Sequence, residues 1–174
     1  MMTMEIKRAD ISNLQVLVDL SVATFCEAFA AVNRKEDMDK YVATELSEDK
    51  LREELADRRN CFFMAWEADI AIGYAKMRAF VRPPELQHDN PVEIERIYVR
   101  ESHYGQGVGA ALMKYCISYA TSHHHNPVWL GVWEHNEKAI SFYKAWGFEL
   151  FGAHIFRLGD DDQTDILMKK YIAQ

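Results

Sequence analysis

The chain of 174 residues is 49% hydrophobic and 27% charged, with a formal net charge of −7. This length and composition are typical of a globular protein, and we predict a single domain over residues 1–174. Nucleic-acid-binding proteins need a basic surface to neutralise phosphates, so the negative charge argues against that class and favours a cationic small molecule as partner.

The N-terminus and the cysteines indicate the compartment. The segment "MMTMEIKRAD" lacks the apolar core of a signal peptide, and no uncharged apolar run approaches the roughly 18 residues that span a bilayer. Cys26, Cys61 and Cys116 are odd in number and far apart, which favours reduced, buried thiols over disulfides or a metal site. We therefore expect a cytoplasmic protein that does not enter a membrane.

The first half of the chain carries both strand and helix signals. "EIKRAD" predicts a short strand, and apolar residues at helical spacing from Ile11 to Phe29 predict a long helix with Asp10 as its cap. "EDMDKYVAT" and "SEDKLREELAD" predict two short helices, the second capped by Ser47. The aromatic-rich runs "CFFMAWE" and "AIGYAKMRAF" predict a two-stranded hairpin, and "VRPPELQHDNP" predicts a loop.

In the second half, strands and helices alternate. "VEIERIYV" predicts a strand, followed by a glycine segment and a helix to about Ser122. "VWLGVW" predicts another strand, "NEKAISFYKAWGF" a helix, and "FGAHIFRLG" and "TDILMKKYI" two final strands. The acidic "GDDDQTD" predicts a charged hairpin turn, and recognition of a substrate by these acids is the alternative. This order indicates one α/β domain with a mixed sheet.

The glycine segment "HYGQGVGAALMKY" leads from a predicted strand into a predicted helix. It has no Ser, Thr, Asp or Asn to cap the helix and no acidic residue in the first turn, so the first N–H groups lack side-chain partners. A turn of this kind can hold a pyrophosphate with backbone donors and the positive end of the helix dipole. The alternative is a flexible turn whose N–H groups bind water.

Two nucleotide-binding motifs compete for this segment. A P-loop needs Gly-Lys-Ser or Gly-Lys-Thr, which "GVGAAL" lacks. The dinucleotide fingerprint matches formally at Gly105, Gly107 and Ala110, with Glu134 near the position of the ribose-binding acid. That fingerprint normally opens its fold, whereas here it follows a hundred residues, which makes it a weak competitor.

Two stretches in order, "IYVRESHYGQGVGAALM" and "NEKAISFYKAWGF", resemble the GNAT superfamily of acyl-CoA-dependent N-acetyltransferases. "EIERIYV", "WLGVWEHNEKAISFYK", "GFELFGAH" and "GDDDQTDILMKK" extend the resemblance over nearly the whole chain, to the bacterial Pai-type spermidine/spermine N-acetyltransferases. One departure is Tyr104, which fills the Arg/Gln position of the superfamily motif.

The resemblance implies a fold, a co-substrate and an acceptor. The fold is a mixed, mostly antiparallel sheet of about seven strands flanked by helices, with the cofactor in the splay between central strands. The co-substrate is acetyl-CoA, with no metal, and the acceptor is a small-molecule amine of the polyamine type. Another amine (an amino acid, an antibiotic or a protein N-terminus) and a non-catalytic acyl-CoA-binding module remain alternatives. The chain would act as a monomer or homodimer.

The resemblance also implies cofactor-binding residues. The backbone of Ile97, Tyr98 and Val99 would bind the pantetheine arm. Asn136 and Tyr143 would lie near the thioester, with Lys138 and Lys144 as further contacts. Asn136 could instead cap its helix, and Tyr143 could be a core aromatic. The pyrophosphate loop would comprise Tyr104, Gly105, Gln106, Gly107, Val108, Gly109 and Ala110.

Acetyl transfer to an amine needs a base and an acid. A strand period of two places Glu93, Glu95, Ile97 and Val99 on one face, so two carboxylates are candidate bases beside the acetyl site. Glu93 matches the base position of several superfamily members. Either carboxylate could instead be solvated or paired with an arginine, and a water relay could replace both. Tyr143 is the candidate acid for the leaving thiolate.

Other charged residues give weaker indications of function. His123–His125 are consecutive in a connection and cannot easily converge on one metal ion. Glu85 and Asp89, with Glu93 and Glu95, could attract a polycation.

Overall fold

The computed structural model describes residues 3–173. In this part of the chain the strands are β1 (Met4–Arg8), β2 (Asn60–Glu67), β3 (Ile70–Ala79), β4 (Val92–Val99), β5 (Val128–Trp133), β6 (Glu149–Leu158) and β7 (Asp161–Lys170). The α-helices are α1 (Leu14–Phe29), α2 (Lys35–Glu45), α3 (Glu48–Ala56), α4 (Val108–Ser122) and α5 (Glu137–Ala145). These elements match the predicted order, and their bounds differ from the predicted ones by a few residues.

The strands form one sheet in the order β1-β2-β3-β4-β5-β7-β6. All neighbouring strands are antiparallel except β4 and β5, which are parallel. α4 and α5 pack on one face through residues such as Leu112 and Tyr143. α1, α2 and α3 pack on the other through residues such as Leu17, Tyr41 and Leu51. The predicted fold, a mixed and mostly antiparallel sheet flanked by helices, is confirmed.

The long first helix begins in two stages. Asp10 accepts a hydrogen bond from the Ser12 N–H at 2.8 Å and caps a short 3₁₀ turn, from which α1 continues. The helical segment Ile11–Val32 is long and apolar enough, by length and composition alone, to cross a membrane, since an 18-residue window within it has a mean hydropathy of 1.5. In the fold, its residues Leu17 and Leu20 are buried against the sheet.

A β-bulge interrupts β4 and corrects one sequence prediction. The pairing of β3 with β4 runs from Met77 opposite Ile94 to Lys76 opposite Arg96, so Glu95 is the extra residue. The bulge keeps Glu95 on the side of Glu93, where it contacts Lys76, but reverses the alternation beyond it. Ile97 and Val99 therefore pack on the α4–α5 face, and the predicted common face with Glu93 and Glu95 is wrong.

β4 and β5 separate soon after they meet. Their parallel pairing comprises Val92 with Val128 and Glu93 with Trp129. Beyond this point β4 stays with β3, and β5 stays with β7. The two central strands therefore open a splay, and the β4 edge that faces it has no strand partner among residues 3–173.

Candidate active site

The splay opens into a cavity of about 650 Å³ that draws residues from both faces of the sheet. β4 and β5 form its sides. On the α4–α5 side it is lined by the glycine turn, Ala139, Phe142 and Tyr143. On the α1–α2 side it is lined by Phe29, Tyr41, Phe156, Gln163 and Asp165, among others. One continuous space therefore connects the N-terminus of α4 with the opposite face of the sheet.

The glycine turn leaves the N-terminus of α4 open. Gly105 and Gly107 have φ of +73° and +82°, a region that favours glycine, and no atom lies within 4 Å of where their Cβ atoms would stand. Gly107 is the N-cap and provides no side-chain hydrogen bond, and the first turn of α4 has no acidic residue. The leading N–H groups of Val108, Gly109 and Ala110 thus face the cavity without a cap, which fits a phosphate group.

Not every predicted residue of this turn lines the cavity. The Gln106 side chain folds back and donates a hydrogen bond to the Ser102 carbonyl at 3.0 Å. Gln106 is absent from the cavity wall, whereas Tyr104, Gly105 and the residues from Gly107 to Ala110 are part of it. Only the backbone of Gln106 remains available for the predicted pyrophosphate contact.

Helix α5 brings Asn136 and Tyr143 to the same cavity. Asn136 accepts a hydrogen bond from the Ala139 N–H at 3.2 Å, so it caps α5 and also lines the cavity. Tyr143 is only 8% exposed and packs against Phe148, so it is both a core aromatic and a cavity residue. Burial raises the pKa of Tyr143 well above its usual value, which keeps the phenol protonated. Lys144 is exposed and lies outside the cavity wall.

The two β4 carboxylates are both paired with cations. Arg78 donates from Nε and Nη2 to Glu93 Oε2 at 3.0 and 2.8 Å, and Glu93 is 5% exposed and absent from the cavity wall. Burial outweighs this ion pair and raises the pKa of Glu93. Glu95 lines the cavity and contacts Lys76, with Arg78 Nη1 at 3.5 Å. Burial opposes its ionisation, but Lys76, Arg96 and Arg78 outweigh burial and lower the pKa of Glu95.

A third carboxylate extends this network to α3. Glu54 accepts hydrogen bonds from Arg96 at 2.8 and 3.2 Å, and Lys76 Nζ lies 3.0 Å from it. The network therefore balances the acids Glu54, Glu93 and Glu95 with the bases Lys76, Arg78 and Arg96. Such a buried, charge-neutral network holds its members in place, and it leaves the β4 carboxylates little free negative charge for a polycation.

Residues 25–148 match the Acetyltransferase (GNAT) family. The chain belongs to the GNAT family of acetyltransferases. It is also 38% identical over 159 residues to an uncharacterized N-acetyltransferase of Lactobacillus delbrueckii subsp. lactis, a match that covers 91% of each chain. A spermine/spermidine N(1)-acetyltransferase of Bacillus subtilis is more distant, at 28% identity over 107 residues, or 56% of this chain and 68% of the relative.

Solved structures share the GNAT fold. The PaiA N-acetyltransferase of Thermoplasma acidophilum, in complex with coenzyme A, superposes with a TM-score of 0.82 at 20% identity and covers 98% of this chain and 100% of its own. This GNAT protein is therefore an acyltransferase, and acetyl-CoA is its co-substrate. The uncapped glycine turn and the unpaired edge of β4 fit that molecule, which supplies the acetyl group and a thiol leaving group.

Tyr104 departs from the GNAT motif, and the structure provides a cation beside it. The Nζ atom of Lys138 lies 4.4 Å from the centre of the Tyr104 ring. Both residues line the cavity at the glycine turn, and Tyr104 is 40% exposed. A cation–π contact of this kind orients the ammonium group next to the α4 N-terminus. An Arg at position 104 would itself be charged, whereas here the cation beside Tyr104 belongs to Lys138 of α5.

Sequence reasoning missed the α1–α2 side of this GNAT cavity. Its aromatic wall brings together residues of α1, α2 and β6, with Phe25 and Tyr41 stacked at 4.4 Å and Tyr41 and Phe156 at 5.7 Å. Asp165 on β7 adds a carboxylate to this side. The alternation of "TDILMKK" could have indicated which face Asp165 occupies, but not which strand lies beside it. Glu85 and Asp89 lie outside the cavity wall, and Asp89 accepts a hydrogen bond from the Tyr171 hydroxyl at 3.0 Å.

Proposed function

We propose that this GNAT enzyme acetylates a primary amine of a small molecule, of the polyamine class, by direct attack of the amine on acetyl-CoA. The observation that carries the proposal is the continuous cavity, which joins an open anion site at α4 to an acid and an aromatic wall on the α1–α2 side. Aromatic faces and a carboxylate are suited to an alkylammonium chain. The spermine/spermidine N(1)-acetyltransferase of Bacillus subtilis supports the class from a distance.

Cofactor-binding roles follow from the same cavity. We assign the phosphate groups to the backbone of residues 105–110, the pantetheine arm to the β4 edge at Ile97, Tyr98 and Val99, and auxiliary contacts to Lys138 and Asn136. Ile97 and Val99 direct their side chains to the α4–α5 face, so only their backbone groups are offered to the arm. Lys144 receives no role, because its side chain lies outside the cavity wall.

Tyr143 is our candidate for the acid. A thiolate leaving group needs a proton, and a phenol whose pKa is raised by burial holds that proton at neutral pH. Its hydroxyl lies on a helix whose other cavity residues, Asn136 and Ala139, are fixed by the cap of α5. The phenol would therefore act from a rigid position.

For the base we propose Glu95, directly or through a water molecule. An alkylammonium has a pKa of about 10.4, so only about one amine in a thousand is neutral at pH 7 and a proton acceptor is required. Glu95 lines the cavity and stays ionised, whereas Glu93 is turned into its pair with Arg78 away from the wall. Glu93 is thus the weaker of the two candidates.

A panel of amines tests the proposed function. Release of free thiol from acetyl-CoA is followed with spermidine, spermine, butylamine, an amino acid, an aminoglycoside and a peptide with a free N-terminus. We expect spermidine and spermine to give the highest kcat/KM. Higher efficiency with the amino acid, the aminoglycoside or the peptide would overturn the polyamine class. If no amine is acetylated although coenzyme A binds, the catalytic function itself is wrong.

Three further proposals concern the protein as a whole. We propose that residues 1–174 act as one domain, because the strands from β1 to β7 share a single sheet. We propose that this domain acts as a monomer or homodimer. We also propose a cytoplasmic location, which agrees with three free cysteines.

A further inference from the structure

Three carboxylates line the cavity, and two of them are already paired with arginine or lysine. Glu27 accepts hydrogen bonds from Arg100 Nε at 3.0 Å and from the Glu101 N–H at 2.9 Å. Glu95 contacts Lys76 and lies near Arg78. Their charges are compensated within the protein, so neither is free to hold a substrate cation.

The third carboxylate, Asp165, has no such partner. Within residues 3–173, no lysine or arginine nitrogen lies within 4 Å of it, and its nearest basic group is His154 Nε2 at 3.7 Å. Its side chain is 13% exposed. A carboxylate that is largely withdrawn from water and lacks a permanent counter-ion attracts a cation more strongly than one on the open surface.

Gly131 on β5 keeps the Asp165 carboxylate uncovered. A Cβ atom at Gly131 would stand 3.3 Å from Asp165 Oδ2 and 3.4 Å from His154 Nε2. Any larger side chain at this position would cover the carboxylate from the β5 side. Gly131 itself lines the cavity, so the carboxylate borders the splay between β4 and β5.

The surroundings of Asp165 restrict the chemistry of its ligand. Strand alternation places Asp165 and Gln163 on the α1–α2 side, opposite the partly buried Ile166 and the buried Met168. Phe29, Tyr41 and Phe156 line the same side of the cavity. An acid beside aromatic walls suits a cationic head on a hydrocarbon chain better than an anionic or strongly polar ligand.

We propose that Asp165 is the counter-ion for a second ammonium group of the acceptor, and that it selects diamines and polyamines over monoamines. This inference rests on the proposed function. The reacting amine must lose its proton before attack, so a carboxylate that held that same nitrogen would stabilise the unreactive form. The useful place for Asp165 is therefore a non-reacting ammonium, which it orients so that the other nitrogen reaches the acetyl group.

Kinetics with butane-1,4-diamine and butylamine, at saturating acetyl-CoA, test this role. We expect Asp165→Asn to lower kcat/KM for the diamine by about 10- to 100-fold, chiefly through KM, because it removes a charged contact. Butylamine, which lacks the second ammonium, should be turned over equally by the variant and the wild type. The matched control is Asp162→Asn, which removes one negative charge from the same strand at an exposed site paired with Arg157. Asp162→Asn should leave kcat/KM unchanged for both butane-1,4-diamine and butylamine.

Equal losses for diamine and monoamine in Asp165→Asn, or a wild-type enzyme without preference for the diamine, would overturn the inference while leaving the acetyltransferase function intact. If no amine is acetylated, the proposed function fails, and Asp165 is then judged by equilibrium binding of spermidine to the protein saturated with coenzyme A. Weaker binding to Asp165→Asn would support the counter-ion role, and equal binding or none would refute it. Coenzyme A must raise the melting temperature of both variants, which shows that they are folded.

Discussion

The ammonium nitrogen of Lys138 lies 4.4 Å from the centre of the Tyr104 ring, at the turn that opens α4. The pair joins a loop residue to the first turn of α5.

Removal of the Lys138 charge should weaken coenzyme A binding. We expect Lys138→Met to raise the Kd for coenzyme A by about 5- to 20-fold, because a charged contact to phosphate is lost while the alkyl chain is retained. Lys114→Met, an exposed lysine of α4 outside the cavity wall, is the matched control. Calorimetry measures both, and equal affinity of Lys138→Met and wild type would exclude Lys138 from the cofactor site.

The Tyr143 hydroxyl should affect turnover rather than affinity. Tyr143→Phe preserves the packing against Phe148 and is expected to lower kcat by about 100-fold with little change in the Kd for coenzyme A. Tyr115→Phe, on the exposed side of α4, controls for loss of a phenol elsewhere. Steady-state kinetics and calorimetry separate the two effects. Wild-type turnover in Tyr143→Phe would leave Tyr143 as a packing residue only.

Glu95 should act over the whole neutral pH range. Because the pKa of Glu95 is lowered, the carboxylate remains ionised from about pH 6 to 9, and protonation of the amine governs the pH dependence. We therefore expect Glu95→Gln to lower kcat/KM by about 10- to 1000-fold throughout this range without moving the profile. Glu93→Gln is the comparison, with a smaller kinetic effect and a lower melting temperature, since it removes the charge that pairs with Arg78 at 2.8 Å and leaves that guanidinium only its 3.5 Å contact with Glu95. The assignment is wrong if Glu93→Gln alone reduces the rate.

His154 should make the stability of the fold depend on pH. The contact with Asp165, which outweighs burial, and the nearby charge of Glu93 raise the pKa of His154. A raised folded-state pKa stabilises the protein below the unfolded value of about 6.5, and this contribution disappears as pH rises through the folded value. The melting temperature of His154→Gln should thus be lower than that of the wild type at about pH 5.5 and equal to it at about pH 8.5. The control is His88→Gln, at an exposed position of a loop, whose melting temperature should equal that of the wild type at both pH values. A difference in melting temperature between His154→Gln and the wild type that does not change with pH would contradict the prediction.

The parts of the site that depend on local sequence were predictable. The glycine turn and the cap of α5 by Asn136 involve residues a few positions apart, and their local patterns indicate the geometry directly. The β4 carboxylates were placed on the correct strand for the same reason. These features need no knowledge of which strands are neighbours.

The other features of the site depend on which strands pair and in which register, and the sequence pattern of a single strand does not reveal this. The bulge at Glu95 arises from the register between β3 and β4, so the alternation of "VEIERIYV" alone predicted the wrong face for Ile97 and Val99. Asp165 reaches the cavity because β7, not β6, lies next to β5. The sequence indicates two final strands but not which of them lies beside β5 in the sheet.

The short seam between β4 and β5 has a mechanical consequence. Among residues 3–173, two residue pairs join these strands, so the sheet consists of two antiparallel parts, β1 to β4 and β5-β7-β6, with few backbone hydrogen bonds between them. A molecule that lies in the splay and bonds the free edge of β4 takes the place of the missing ladder. Occupation of the cleft should then stiffen the sheet as a whole, and amide exchange in β5 and the end of β4 should slow together when coenzyme A is added.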